Sequence, residues 1–186
     1  MNFANKISTF RILTVPFFVA ILAYYSAGRE YLRIAALSVF ILAVISDAVD
    51  GYIARRAKQQ SAAGMILDPL GDKLLLMSAF VCLSFDKFSV HFPVWVTLTV
   101  ISRDVIIILG TMVIYMVKQH INIAPTRWGK LTTTTQMASV IAVLLRLDFA
   151  FFFWWPAAFF TIISGADYVM RGFKTLYALD NSRNHR

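Results

Sequence analysis

The sequence predicts an all-α polytopic membrane protein with six transmembrane helices, and three observations support this prediction. The 186 residues are 59% hydrophobic with a mean hydropathy of +0.67, whereas soluble domains average about 45–50% apolar residues. Apolar runs long enough to cross a bilayer, about 17–25 residues, recur along nearly the whole chain. The links on one side are very short, which leaves no room for an external domain. We therefore expect one integral membrane domain over residues 1–186.

Each expected span is an apolar run between polar or charged residues. The six spans cover about Ser8–Ala27, Tyr31–Arg55, Pro69–Phe85, Pro93–Val117, Leu131–Leu145 and Phe149–Val169. The residues before the first span, Met1–Lys6, are expected to form a short interfacial segment lying along the membrane.

The distribution of charge favours a membrane setting over nucleic-acid binding. The net charge is +8, but the basic residues are scattered among apolar spans and form no basic patch, so nucleic acid is excluded as a partner. Thirteen of the 18 Lys and Arg residues fall on one side of the expected spans and four on the other, with Arg103 in the middle of the fourth span. The positive-inside rule then places both termini in the cytoplasm, and in a bacterium the membrane would be the inner one.

Four aspartates lie beside or inside apolar runs, where an unpaired charge is costly enough to indicate function. Asp47, Asp50, Gly51, Ala54 and Arg55 have the spacing i, i+3, i+4, i+7 and i+8, so they share one helix face. A second set with helical spacing consists of Gly64, Asp68 and Asp72. Two such faces turned toward each other would form an oxygen-rich cage that opens to the cytoplasm.

Carboxylates are hard oxygen ligands that suit Mg²⁺ or Mn²⁺ rather than Zn²⁺ or copper. Four of them exceed what one Mg²⁺ needs, so we expect two divalent cations about 3.5–4 Å apart, as in phosphoryl-transfer sites. Arg55 on the carboxylate face could pair with a phosphate. Gly51 and Gly64 leave space for a ligand to approach the backbone. Asp72 could bind a metal and also accept a proton from an attacking hydroxyl.

This pattern resembles the signature of the CDP-alcohol phosphotransferase family, D-x2-D-G-x2-A-R-x8-G-x3-D-x3-D, and all eight fixed positions match. The resemblance implies transfer of a phosphatidyl group from CDP-diacylglycerol to an alcohol, with release of CMP. It implies that Asp47 and Asp68 bridge both metals, that Asp50 completes the first site, and that Asp72 binds the second metal and is the general base. It also implies a donor-binding set of Thr9, Gly51, Ala54, Arg55, Ser61 and Gly64.

The acceptor alcohol is less strongly specified. The segments around Arg103 and Lys130 resemble those of phosphatidylglycerophosphate synthases and of eukaryotic-type cardiolipin synthases. Glycerol 3-phosphate, the acceptor in the first case, needs cations for its phosphate, and Arg103, Arg127 and Lys130 are the candidates. The former enzymes usually carry a second lysine where this chain has Thr132, which leaves phosphatidylglycerol as an alternative acceptor.

Three further interpretations accompany this hypothesis. A divalent-cation transporter could use intramembrane aspartates, although Arg55 would repel the permeant ion. A catalytically inactive assembly protein would not need the complete metal motif. Arg103 and Asp104 could instead form a purely structural ion pair. Relatives of this type suggest a homodimer.

Overall fold

The computed structural model describes residues 3–57, 73–118 and 127–184, and side chains within 13–46, 73–112 and 127–172. All regular structure in these ranges is helical, as predicted. The helices are α1 (Phe3–Ala23), α2 (Glu30–Ala57), α3 (Lys73–Cys82), α4 (Val94–Lys118), α5 (Arg127–Leu144) and α6 (Phe151–Asn184).

Each described helix overlaps one of the expected spans. Some internal ends differ, since α1 ends at Ala23 rather than Ala27 and α5 begins at Arg127 rather than Leu131, and the largest differences lie at the two ends of the chain. Residues 3–6 of the expected interfacial segment at Met1–Lys6 are continuous with α1 rather than a separate element, and their position along a membrane stays a prediction. Residues 3–15 contain no glycine or proline, so nothing in the sequence ends a helix near Lys6. α6 continues to Asn184, well beyond the expected end at Val169, because a helix can continue through polar residues that end a hydropathy run.

One helix in the described ranges, α4 over Val94–Met112, has the length and composition needed to cross a membrane. Shorter apolar helical stretches occur at Leu13–Ala23 and Lys73–Cys82.

The chain divides into two compact units. The first unit contains Met1–Pro93 and Val140–Ala150, and the second contains Val94–Ser139 and Phe151–Arg186. The described side chains buried in the first unit are apolar, whereas every buried polar or charged residue described belongs to the second unit. These are Thr97, Arg103, Asp104, Thr132, Gln136, Ser139, Thr161 and Ser164.

In the first unit, α1 and α2 pack through aromatic and small side chains. Phe18 of α1 and Phe40 of α2 are fully buried, with ring centroids 5.8 Å apart. Beyond α1, the ring of Tyr25 stacks on Phe88 at 4.7 Å. Lys87 donates to the carbonyl oxygen of Leu22 at 2.7 Å, which satisfies an acceptor at the end of α1 that has no partner within the helix.

A cluster of charged groups joins the start of α2 to the end of α5, which also lies in the first unit. Glu30 accepts from Arg33 at 3.0 Å and pairs with Arg146 at 2.7 Å. Arg146 also donates to the hydroxyl of Tyr25, and Arg33 donates to the carbonyl oxygen of Leu144. The hydrogen bond from Arg33 is the largest influence on Glu30 and lowers its pKa. Desolvation opposes it, but the hydrogen bond from Tyr25 and the charge of Arg146 add to the lowering, so the pKa of Glu30 lies below its ordinary value.

Arg146 lies two residues beyond the end of α5 and has a left-handed backbone conformation, with φ of 56°. The amide of Leu147 donates to the carbonyl oxygen of Ala142 at 3.1 Å, and the amide of Arg146 donates to that of Val143 at 3.0 Å. These two bonds define a Schellman motif, in which the left-handed position is usually glycine. An arginine there costs about 1–2 kcal/mol in backbone energy. Its side-chain bonds to Glu30 and Tyr25 offset that cost.

In the second unit, α4 and α6 run parallel and pack closely. Three contacts occur in the same order along both helices: Trp95 with Trp155 at 5.2 Å between ring centroids, Arg103 with Ser164 at 2.6 Å, and Thr111 with Tyr168 at 2.5 Å. Small residues allow this approach. A Cβ added at Gly165 would lie 3.3 Å from Cγ of Arg103, and one at Gly110 would lie 2.9 Å from Cε1 of Tyr168.

Candidate active site

The first half of the aspartate motif lies on one uninterrupted helix, as predicted. Ala36, Phe40 and Ala43 form the buried stripe of α2, and the helix continues to Ala57 without a break. Continuing the same i+3 and i+4 register along the backbone leads to Asp47, Asp50, Gly51 and Ala54. The motif therefore occupies the helical register of the packed face of α2.

The second half of the motif lies outside the described residues. Ser61, Gly64, Asp68 and Asp72 fall within 58–72, and the side chains of Thr9 and of the α2 motif residues are also outside the described set. Among the side chains that are described, no group of three or more His, Cys, Asp or Glu could hold a metal ion. Convergence of the four aspartates on a metal pair stays a prediction.

Arg103 is buried in the middle of α4, and its partners are defined. Its side chain is 9% exposed. One terminal nitrogen donates to Oδ1 of Asp104 at 2.6 Å, and the other donates to Oγ of Ser164 on α6 at 2.6 Å. Nε is buried and has no hydrogen-bond partner in the described part of the chain. The ion pair between Arg103 and Asp104 that the sequence suggested is therefore present.

Arg127 and Lys130 occupy the first turn of α5, and both are exposed. The amino end of a helix carries partial positive charge, so cations there do not stabilise the helix. Two exposed cations at a positive helix end make this turn attractive to an anion. Arg103, Arg127 and Lys130 all belong to the second unit.

The hydroxyl groups of the threonines that follow Lys130 donate hydrogen bonds to backbone carbonyl groups of α5 and α6. Thr132 is fully buried, and its hydroxyl is shared between the carbonyl oxygens of Trp128 and Phe160, each at 2.9 Å. Nearby, Gln136 donates to Oγ1 of Thr161 at 2.9 Å. Thr132 and Gln136 therefore join α5 to α6.

Sequence reasoning did not identify Ser164. It lies 61 residues from Arg103 along the chain. A single serine inside an apolar run carries no local signal that would connect it to a distant arginine.

Known proteins resemble this chain over most of its length. The family described as CDP-alcohol phosphatidyltransferase matches residues 1–163. The chain is 34% identical to the CDP-diacylglycerol--glycerol-3-phosphate 3-phosphatidyltransferase of Bacillus subtilis (strain 168), over 94% of this chain and 97% of that protein. It is 30% identical to the probable phosphatidylglycerophosphate synthase of Mycobacterium tuberculosis (strain ATCC 25618 / H37Rv), over 94% of this chain and 83% of that protein. The CDP-diacylglycerol--glycerol-3-phosphate 3-phosphatidyltransferase of Sodalis glossinidius (strain morsitans) is 34% identical to this chain, over 80% of this chain and 79% of that protein.

Proposed function

Because the chain belongs to the CDP-alcohol phosphatidyltransferase family, we propose that it transfers a phosphatidyl group from CDP-diacylglycerol to glycerol 3-phosphate and releases CMP. The observation that carries this proposal is similarity over nearly the full length of both chains to a protein named for that reaction. The complete aspartate motif, whose first five fixed positions lie on α2, supports it.

We assign the metal site to Asp47, Asp50, Asp68 and Asp72 on the chemistry of the donor set. All four are carboxylates, which fit hard divalent cations, and the chain offers no cysteine or histidine beside them. Bound Mg²⁺ or Mn²⁺ would neutralise negative charge on the phosphates of the donor. Asp72 accepts the proton of the acceptor hydroxyl, whose oxygen attacks the diacylglycerol-linked phosphorus, and CMP leaves.

The donor and the acceptor are assigned to different residues. CDP-diacylglycerol binding falls to Thr9, Gly51, Ala54, Arg55, Ser61 and Gly64. Arg55 provides a planar fork of donors for a phosphate. Arg103, Arg127 and Lys130 bind the phosphate of the acceptor, which is supported by the unused donor of Arg103 and by the exposed cations at the start of α5.

The proposal includes a polytopic arrangement in a bilayer. Large apolar side chains are exposed on every described helix, for example Phe17, Leu42, Val81, Leu109, Leu131 and Phe159. Soluble monomers rarely expose apolar patches of this extent, whereas lipid tails would cover them. We place the enzyme in the inner membrane with its metal site facing the cytoplasm, on the distribution of Lys and Arg, and we propose a homodimer on the resemblance alone.

An acceptor panel tests the reaction. Purified enzyme with CDP-diacylglycerol and Mg²⁺ is given glycerol 3-phosphate, phosphatidylglycerol, inositol phosphate or serine, and CMP is measured. We expect release with glycerol 3-phosphate. Release with phosphatidylglycerol alone would assign cardiolipin synthesis instead. Cation flux in proteoliposomes without CDP-diacylglycerol, with no CMP release from any acceptor, would indicate a transporter.

The Asp72→Asn variant tests the general base. We expect turnover to be abolished while CDP-diacylglycerol binding is largely retained, because the amide keeps the shape of the side chain but cannot take the proton. Normal turnover in this variant would remove Asp72 from its assigned role.

A further inference from the structure

The starting observation is that Arg103 connects two helices of the second unit. Its guanidinium reaches from α4 to Oγ of Ser164 on α6, and its charge is balanced by Asp104, the next residue on α4. Both distances are 2.6 Å, slightly shorter than the range of about 2.7–2.9 Å that is usual when a charged nitrogen donates. The guanidinium is therefore held from two directions.

The stem of the same side chain is also confined. Gly165, the residue after Ser164, lies so close that an added Cβ would be 3.3 Å from Cγ of Arg103. Arginine ordinarily loses side-chain entropy when it is fixed in one rotamer. Here that ordering has already occurred in the folded protein. The guanidinium plane is pre-set before any ligand arrives.

Arg103 has N–H donors that its described partners do not use. A guanidinium has five N–H donors, and Asp104 and Ser164 each accept one. Nε is buried without a partner among the described residues, although buried polar groups are satisfied in the large majority of cases. Donors on a fixed plane suit two oxygens of a phosphate.

Thr132 cannot add a cation to this group. It is an uncharged residue whose hydroxyl is engaged by backbone carbonyl groups of α5 and α6. The charge for a phosphorylated acceptor must come from other residues, which increases the importance of how Arg103 is held.

We propose that Ser164, together with Asp104, is a positioning residue that orients the Arg103 guanidinium toward the phosphate of the acceptor. This inference rests on the proposed function. Ser164 acts through Arg103 and determines how well the enzyme binds a phosphorylated alcohol. It has no part in binding CDP-diacylglycerol.

Ser164→Ala tests the proposal through the two Michaelis constants. We expect the KM for glycerol 3-phosphate to rise about tenfold, in line with the loss of one hydrogen bond to a charged group. The KM for CDP-diacylglycerol should be unchanged, and kcat should change less than about threefold. Ser164→Thr keeps the hydroxyl and should restore the KM for glycerol 3-phosphate.

Tyr168→Phe is the matched control. It removes a hydrogen bond between the same two helices, the one to Thr111 at 2.5 Å, without touching Arg103. We expect it to lower thermal stability about as much as Ser164→Ala and to leave both KM values unchanged. If Ser164→Ala is not recovered folded, Ser164→Cys provides a near-isosteric side chain with a weaker acceptor, and the same KM should rise.

The outcomes separate the two proposals. Wild-type enzyme that releases no CMP with glycerol 3-phosphate refutes the proposed function. Wild-type activity with unchanged KM values in folded Ser164→Ala refutes the positioning role. An equal rise in both KM values, or a similar rise in Tyr168→Phe, also refutes it, because either result would indicate a general loss of structure.

Discussion

Replacing Gly110 by alanine should weaken the packing of α4 against α6. The new Cβ would lie 2.9 Å from Cε1 of Tyr168 and 3.5 Å from its hydroxyl oxygen. The ring must move, and its 2.5 Å hydrogen bond to Thr111 must lengthen. Overpacking of this kind costs about 1–3 kcal/mol, and the better helix propensity of alanine returns up to about 1 kcal/mol. We expect a net loss of about 1 kcal/mol.

Gly172→Ala on α6 provides the matched control. Apart from its chain neighbours and its own helix backbone, no described atom lies within 4 Å of a Cβ at that position, so only the propensity gain of up to about 1 kcal/mol remains. The two variants then differ by up to about 2 kcal/mol. At about 2–4 °C per kcal/mol for a chain of this size, their melting temperatures should differ by up to about 4–8 °C at one scan rate in one detergent. Replacing Tyr168 by alanine should remove the difference. Equal melting of the two single variants would refute the reasoning.

Three further predictions concern the charged cluster and the metal site. Because the pKa of Glu30 is lowered, its contribution to stability is present above the ordinary carboxyl pKa and is lost as the pH falls through the lower folded-state value. The melting temperature of wild type should therefore fall more than that of Glu30→Gln below about pH 4, and parallel curves would contradict this. Arg146→Gly should be more stable than Arg146→Ala by about 1 kcal/mol and should melt at a higher temperature. Both variants lose the side-chain bonds, but only glycine relieves the cost of the left-handed backbone. Equal melting temperatures would show that the strain is absent. Chelation with EDTA should abolish CMP release, added Mg²⁺ should restore it, and Asp47→Asn should lower kcat about a hundredfold or more, whereas activity that survives chelation would argue against a metal site.

The helices were largely predictable from the sequence because apolar runs that end in charged or turn residues are long and distinct. α4 and the start of α6 fall within about two residues of expectation. The errors have physical causes. Hydropathy continues through Tyr24 and Tyr25, but the helix ends at Ala23, where Lys87 from a distant loop bonds the carbonyl groups of its last turn.

The site was predictable where it is local and not where it is assembled from distant residues. The spacing of Asp47, Asp50 and Arg55 was enough to predict one shared helix, because periodicity is a property of neighbouring residues. The partnership of Arg103 with Ser164 depends on how α4 meets α6, which no local pattern encodes. The left-handed Arg146 was equally hidden, since glycine is the usual signal for that conformation.

The uneven distribution of buried polar groups bears on how freely the sequence can drift. Around Phe18 and Phe40 the interior depends on volume and shape, so one aliphatic or aromatic residue can replace another at modest cost if the total volume is kept. Around Gln136 and Thr161 each position makes a directional hydrogen bond. A single apolar replacement leaves its partner buried without a hydrogen bond, at a cost of about 1–3 kcal/mol. Lineages and engineered libraries should therefore diversify the apolar interior around Phe18 and Phe40 position by position, and the polar positions around Gln136 and Thr161 only through paired exchanges.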